Sequence, residues 1–180
     1  MIGWFIVEYI YINYKVQADM KNIFMDHLKL ISGIISILLV ILSVIIQEIF
    51  NLEPCPLCIT QRVIFLTSGI TFLIFYFKPM NKIIELSILG MINLIGLIFA
   101  IRHVLIQRKV INIPAECGID LEYMFDNFPL REVFELIFRG TGDCSEIDWS
   151  FLGITIPEWS AIWFLILMAM TYTNYKRNTL

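Results

Sequence analysis

Four cysteines carry the most reactive side chains of this 180-residue sequence: Cys55, Cys58, Cys117 and Cys144. Cys55-Pro56-Leu57-Cys58 is a C-x-x-C. A ring closed over two intervening residues recurs in redox-active proteins, because its disulfide opens and re-forms in place. Pro54 fixes the chain ahead of the motif, and Pro56 suits a first helical turn, where its missing N–H has no intrahelical partner. Cys58 then lies near a helix N-terminus, whose unpaired N–H groups favour thiolate over thiol. Arg62 follows four residues later on the same helix face, so its guanidinium adds to that preference and can polarise a carbonyl oxygen bound beside it. Gln61 offers a second hydrogen-bonding group at this depth.

Zinc is the main rival for these sulfurs. Structural zinc favours two closely spaced ligand pairs, but 26 residues separate Cys117 from Cys144 and neither His27 nor His103 completes a second pair. No metal site is expected. Purely structural disulfides are the stronger rival, and four cysteines allow three pairings, which stay open at this level.

The elements that must hold these residues are membrane helices. Hydrophobic residues make up 58 % and charged residues 16 %, with a mean hydropathy of +0.78. An average soluble domain has roughly 45–50 % apolar and 25 % charged residues. That excludes an ordinary soluble globule, and the lack of a basic surface excludes a nucleic-acid binder. Four uncharged stretches, Leu30–Ile46, Val63–Phe77, Leu86–Ile101 and Trp159–Tyr175, reach the roughly 17–25 residues needed to cross a bilayer once their flanks are added. The expected fold is an all-α membrane protein, a four-helix transmembrane bundle forming a single domain over 1–180. Its spans cover about 28–47, 59–77, 83–101 and 158–175.

Charge sets the orientation. Lys15, Lys21, Lys29, Lys78, Lys82, Lys176 and Arg177 lie on one side. On the other, the loop 102–157 with its flanks has five basic residues against ten acidic ones. Positive-inside puts both termini in the cytoplasm, and the loops at about 48–58 and 102–157, with all the cysteines, on the oxidising side. Charge at a span mouth marks Arg62 as functional, against the plainer reading that it snorkels to the interface. In the long outer loop, Leu130, Val133, Phe134, Ile137 and Phe138 form one apolar stripe between Pro129 and Gly140, as in a short helix lying in the bilayer surface. A second interfacial segment runs from Trp149 to Ile156. The arm 1–25 is too short for a span and lacks a signal-peptide pattern; it is either an interfacial helix or sequence ahead of a later start at Met20 or Met25.

In these motifs the sequence resembles the disulfide bond formation protein B (DsbB) family, quinone reductases of the bacterial inner membrane. The resemblance runs from about Leu30 to Tyr175. It rests on Glu53-Pro-Cys-Pro-Leu-Cys58 with Gln61-Arg62, Arg102-His103-Val104 with Gln107, and Cys117-Gly118 with Leu121-Glu-Tyr-Met124. Phe138-Arg-Gly-Thr-Gly-Asp-Cys144, Asp148-Trp149, Phe151-Leu-Gly153 and Ile156-Pro-Glu-Trp159 complete it. It implies a protein dithiol:quinone oxidoreductase that reoxidises a DsbA-like periplasmic thioredoxin-fold partner and passes the electrons to ubiquinone or menaquinone. Cys55 and Cys58 would be the pair beside the quinone, with Arg62, Gln61 and Cys58 binding it. Cys117 and Cys144 would be the loop pair, with Cys117 attacked by the partner. The implied disulfides are Cys55–Cys58 and Cys117–Cys144 at rest and Cys55–Cys144 in passing. In some members a histidine of the outer loop helps bind the quinone; His103 sits instead at the end of span three and is not assigned that role. Two other readings share some of these features. One is a paralogue, or a vitamin K epoxide reductase-like enzyme, with a dedicated partner. The other is a non-catalytic membrane protein stapled by two structural disulfides.

Overall fold

The structure, a computed structural model, describes residues 27–52, 54–111, 142–145 and 149–177. The arm 1–25, Cys117 and the amphipathic segment between Pro129 and Gly140 lie outside the described residues. Within these there are four long helices: α1 (Leu28–Phe50), α2 (Pro56–Phe77), α3 (Lys82–Gln107) and α4 (Ile156–Arg177). A 3₁₀ turn, Gly142–Ser145, and a two-stranded hairpin, β1 (Ser150–Phe151) and β2 (Ile154–Thr155), precede α4. Helices α1, α2 and α3 are long and apolar enough to cross a membrane. Helix α4 has Glu158 in its first turn and Thr171, Thr173 and Asn174 near its end, which dilute its apolar content.

Each helix runs somewhat past the stretch that marks it in the sequence. α1 continues to Phe50 and stops where Asn51 turns left-handed (φ 48°), with its N–H bonded to the Gln47 carbonyl. α3 runs to Gln107, six residues past Ile101. The charge at Arg102 limits the apolar run and leaves the backbone ladder unaffected, so two further turns lift His103 and Gln107 to the level of Cys55.

The bundle is apolar outside, and it buries polar side chains among a core of Phe72, Leu89, Phe164 and Leu167. Ile34, Leu38, Val63, Ile70, Met91 and Ile98 are exposed, while Ser32, Ser36, Ser68 and Asn93 are fully buried. Ser68 Oγ donates to Asn93 Oδ1 at 3.0 Å, tying α2 to α3. Such a pattern suits lipid, where interhelical hydrogen bonds and small-residue contacts hold helices together. Gly33 and Gly69 let α1 and α2 meet backbone to backbone: a Cβ on either would lie 3.1 Å from the other's carbonyl oxygen. Glu85, the lone acid at the start of span three, is buried against Lys29 of α1 and accepts the Met80 N–H at 2.8 Å. A charge at this depth is tolerated because it is paired.

Beneath the cysteine end, Phe65 of α2 stacks on Phe164 of α4, ring centroids 3.9 Å apart. This stack depends on Gly96 of α3, since a Cβ there would meet the Phe164 ring at 2.3 Å. Gly96→Ala is expected to cost about 1–3 kcal/mol by overpacking and to lower the thermal midpoint in detergent. An unchanged midpoint would mean that the ring swings aside freely.

Candidate functional site

The C-x-x-C builds the start of α2. Cys55 is its N-cap, in an extended conformation, and Pro56 fills the first helical position. The Cys55 sulfur accepts the Cys58 N–H at 3.4 Å, so the motif caps its own helix. The same turn brings the two sulfurs to 3.3 Å. A disulfide needs about 2.05 Å, so closing and opening the bond takes only a small side-chain movement.

Two distant segments converge on Cys55. From α3 comes His103, 1 % exposed, with Nε2 3.7 Å from Cys55 Sγ. Its Nδ1 faces Gln61 Nε2 at 3.3 Å. With the amide donating to Nδ1, the ring proton sits on Nε2, on the sulfur side. From the outer segment comes Cys144, fully buried in the 3₁₀ turn. Its thiol hydrogen-bonds Cys55 and its backbone hydrogen-bonds His103. The hydrogen bond from Cys144 favours a Cys55 thiolate, but the hydrogen bond to Cys58, burial and the charge of Cys58 outweigh it and push the Cys55 thiol up. A sulfur that resists becoming a thiolate is a poor leaving group.

Cys58 is half-buried and opens onto a cavity of about 340 Å³. The volume falls within the roughly 300–1,000 Å³ typical of small-molecule sites. Leu39 of α1, Phe65 of α2 and Trp163 of α4 line it with apolar surface; Gln47, Gln61, Arg62 and His103 supply its polar groups. Arg62 does line the same space as Cys58, but its guanidinium is held by α1: Nη1 donates to Gln47 Oε1 and Nη2 to the Ser43 carbonyl. Trp149 stacks on Phe151, which leans on Trp159, at the outer edge. The hairpin carrying these rings turns through Leu152 and Gly153, both at positive φ.

Of the residues singled out in the sequence, the structure brings together Cys55, Cys58, Cys144, Gln61 and Arg62. Cys117 lies outside the described residues. Sequence reasoning left His103 without a role and passed over Gln47 and Ser43 altogether. The Arg102-His103 pair just past an apolar run was the available signal for the first; a polar pair one turn apart inside span one was the signal for the others.

Known proteins similar to this chain fall in one family. The family profile described as disulfide bond formation protein DsbB matches residues 26–173. The chain belongs to the DsbB family. It is 40 % identical over 145 residues to disulfide bond formation protein B of Methylobacillus flagellatus, covering 77 % of this chain and 87 % of that one. The namesake from Nitrosococcus oceani is 46 % identical over 124 residues, covering 67 % and 73 %. That from Xanthomonas axonopodis pv. citri is 35 % identical over 140 residues, covering 74 % and 81 %. Membership of the DsbB family makes this a membrane protein of disulfide bond formation, with an oxidoreductase role, and its described cysteines are gathered at one end of the helices.

Proposed function

We propose that this protein is a thiol–quinone oxidoreductase of the bacterial inner membrane that reoxidises a DsbA-like periplasmic partner. The observation that carries this is the position of Cys55, in contact with Cys144 on one side and Cys58 on the other, with Cys58 open to an apolar cavity. In this reading α4 is the fourth crossing, the termini are cytoplasmic and the cysteines face the periplasm, as the lysine distribution favours. The resting disulfides are Cys55–Cys58 and Cys117–Cys144.

A partner thiolate attacks Cys117, forms a mixed disulfide and releases Cys144 as thiolate. Cys144 attacks Cys55 next to it, making a Cys55–Cys144 bond and expelling Cys58 as thiolate. His103 lies against both sulfurs' segments and holds the loop cysteine in line. The partner's second thiol then attacks the mixed disulfide and leaves oxidised, releasing Cys117. Cys117 attacks Cys144, which restores the loop pair and frees Cys55. The Cys55–Cys58 dithiol remains, carrying two electrons and two protons.

The cavity suits the acceptor. Its apolar walls take a lipid-soluble ring, and Arg62 and Gln61 can meet the ring's carbonyl oxygens. The Cys55–Cys58 dithiol would give its two electrons and two protons to a quinone held there and close again to the disulfide. Ubiquinone and menaquinone both satisfy this chemistry.

The test is anaerobic incubation of the purified protein with reduced partner and quinone, following quinone absorbance. Loss of absorbance should require both protein and partner. Arg62→His should raise the KM for quinone more than that for partner. Absence of quinone reduction by the wild-type protein would overturn the proposal and leave a disulfide-stapled scaffold.

A further inference from the structure

The cluster at the top of α2 and α3 has donor atoms suited to a second chemistry. Cys55 Sγ, Cys144 Sγ and a ring nitrogen of His103 lie within 4.8 Å of one another, and all three residues are buried. Cys58 Sγ adds a fourth donor 3.3 Å from Cys55. An ion held about 2.3 Å from sulfur and about 2.0–2.1 Å from nitrogen in a tetrahedron sets neighbouring sulfurs roughly 3.8 Å apart, and sulfur and nitrogen roughly 3.6 Å apart. The 3.3 Å sulfur pair and the 3.7 Å sulfur–nitrogen pair are within about half an ångström of those edges. The remaining edges of the triad, from Cys144 Sγ to Cys55 Sγ and to the ring nitrogen, are at most 4.8 Å, about an ångström beyond the ideal, and Cys58 reaches the same point by turning its side chain about Cys55. Thiolate and imidazole donors select soft d¹⁰ ions such as zinc over magnesium or calcium. For Nε2 to ligate, the ring proton moves to Nδ1 and the Gln61 amide turns over so that Oε1 accepts it, the outer contact that orients a ligating histidine.

We propose that the reduced site binds one thiophilic ion of the zinc type through Cys55, Cys144 and His103 Nε2, with Cys58 as the fourth ligand. Binding releases three thiol protons to solvent and moves no electrons. Every ligand sulfur is one that a disulfide would consume, so metal and disulfide exclude each other. Bound zinc therefore holds the enzyme in its reduced form, out of reach of its acceptor. The proposal rests on the thiol cycle above only in taking these cysteines to be reduced in turn.

The experiment uses the full chain in detergent, reduced, chelator-treated and kept anaerobic without quinone or partner. Zinc is titrated against a colorimetric chelator. One tight equivalent per chain is expected for the reduced protein and none for the oxidised protein. Cys117→Ser should leave the affinity unchanged, and His103→Gln should weaken it at least tenfold. Cobalt(II) added to the unaltered protein should give the intense bands of tetrahedral thiolate coordination, a readout that needs no variant to fold. Equal zinc uptake by reduced and oxidised protein, unchanged affinity in His103→Gln, or cobalt spectra without thiolate bands would each overturn the proposal. A protein that reduces quinone but takes up no zinc refutes this site alone. One that takes up zinc but reduces no quinone refutes only the oxidoreductase reading.

Discussion

Cys58→Ser is expected to abolish quinone reduction, with residual turnover at least a thousandfold below wild type. Both sulfurs line the cavity, and Cys58 is the more exposed of the two, Cys55 being 7 % exposed. A serine hydroxyl there neither forms a disulfide nor ionises at neutral pH, so it passes no electrons to an acceptor. The variant should still become linked to a reduced partner through Cys117, because that exchange takes place on the outer loop. Anaerobic quinone absorbance measures the first effect and non-reducing gel electrophoresis the second. Quinone turnover persisting above a tenth of wild type would mean that another sulfur faces the acceptor.

Cys144→Ser should break the chain of exchange at a different link. Partner-driven quinone reduction should fall by a similar factor, since Cys117 alone has no sulfur with which to reach Cys55. Reduction driven by a small dithiol acting directly on Cys55–Cys58 should survive at close to the wild-type rate, because the cavity and its polar groups are untouched. The ratio of the two rates is the diagnostic. Loss of both would place Cys144 in the support of the cavity itself, whereas survival of both would remove it from the route. Cys144 is fully buried, so the small-dithiol rate also reports whether the serine is accommodated.

What could be read from sequence was what is local. The apolar runs, the proline-flanked C-x-x-C and the four-residue step from Cys58 to Arg62 each depend on neighbours within a turn or two, and the helices follow from them. Three-dimensional convergence was not readable. His103 is 48 residues from Cys55 along the chain, and its part depends on α3 continuing beyond the point where charge ends its apolar stretch. A hydropathy argument locates the edge of the hydrocarbon and is silent on where the helical hydrogen bonds stop. The Cys55–His103–Cys144 cluster was illegible for the same reason, since ligand spacing rules describe donors paired along one segment. Ser43 lies within the uncharged stretch Leu30–Ile46 and Gln47 just past its end, and their value appears only when the Arg62 side chain is seen to end on them. The hairpin before α4 was also obscure: Leu152 occupies a left-handed position where asparagine or glycine would have announced the turn.

The bare-backbone crossing of Gly33 and Gly69 fixes more than the contact between two helices. Arg62 projects from α2 seven residues from that crossing, about 10 Å along the axis, yet its cationic end is moored on α1. The crossing thus acts as the zero mark of a ruler, and the depth at which the positive charge stands is measured from it. A bulkier side chain at either glycine would let one rod slide against the other. It would detune the active end from the middle of the membrane, without altering any residue that touches the reactants.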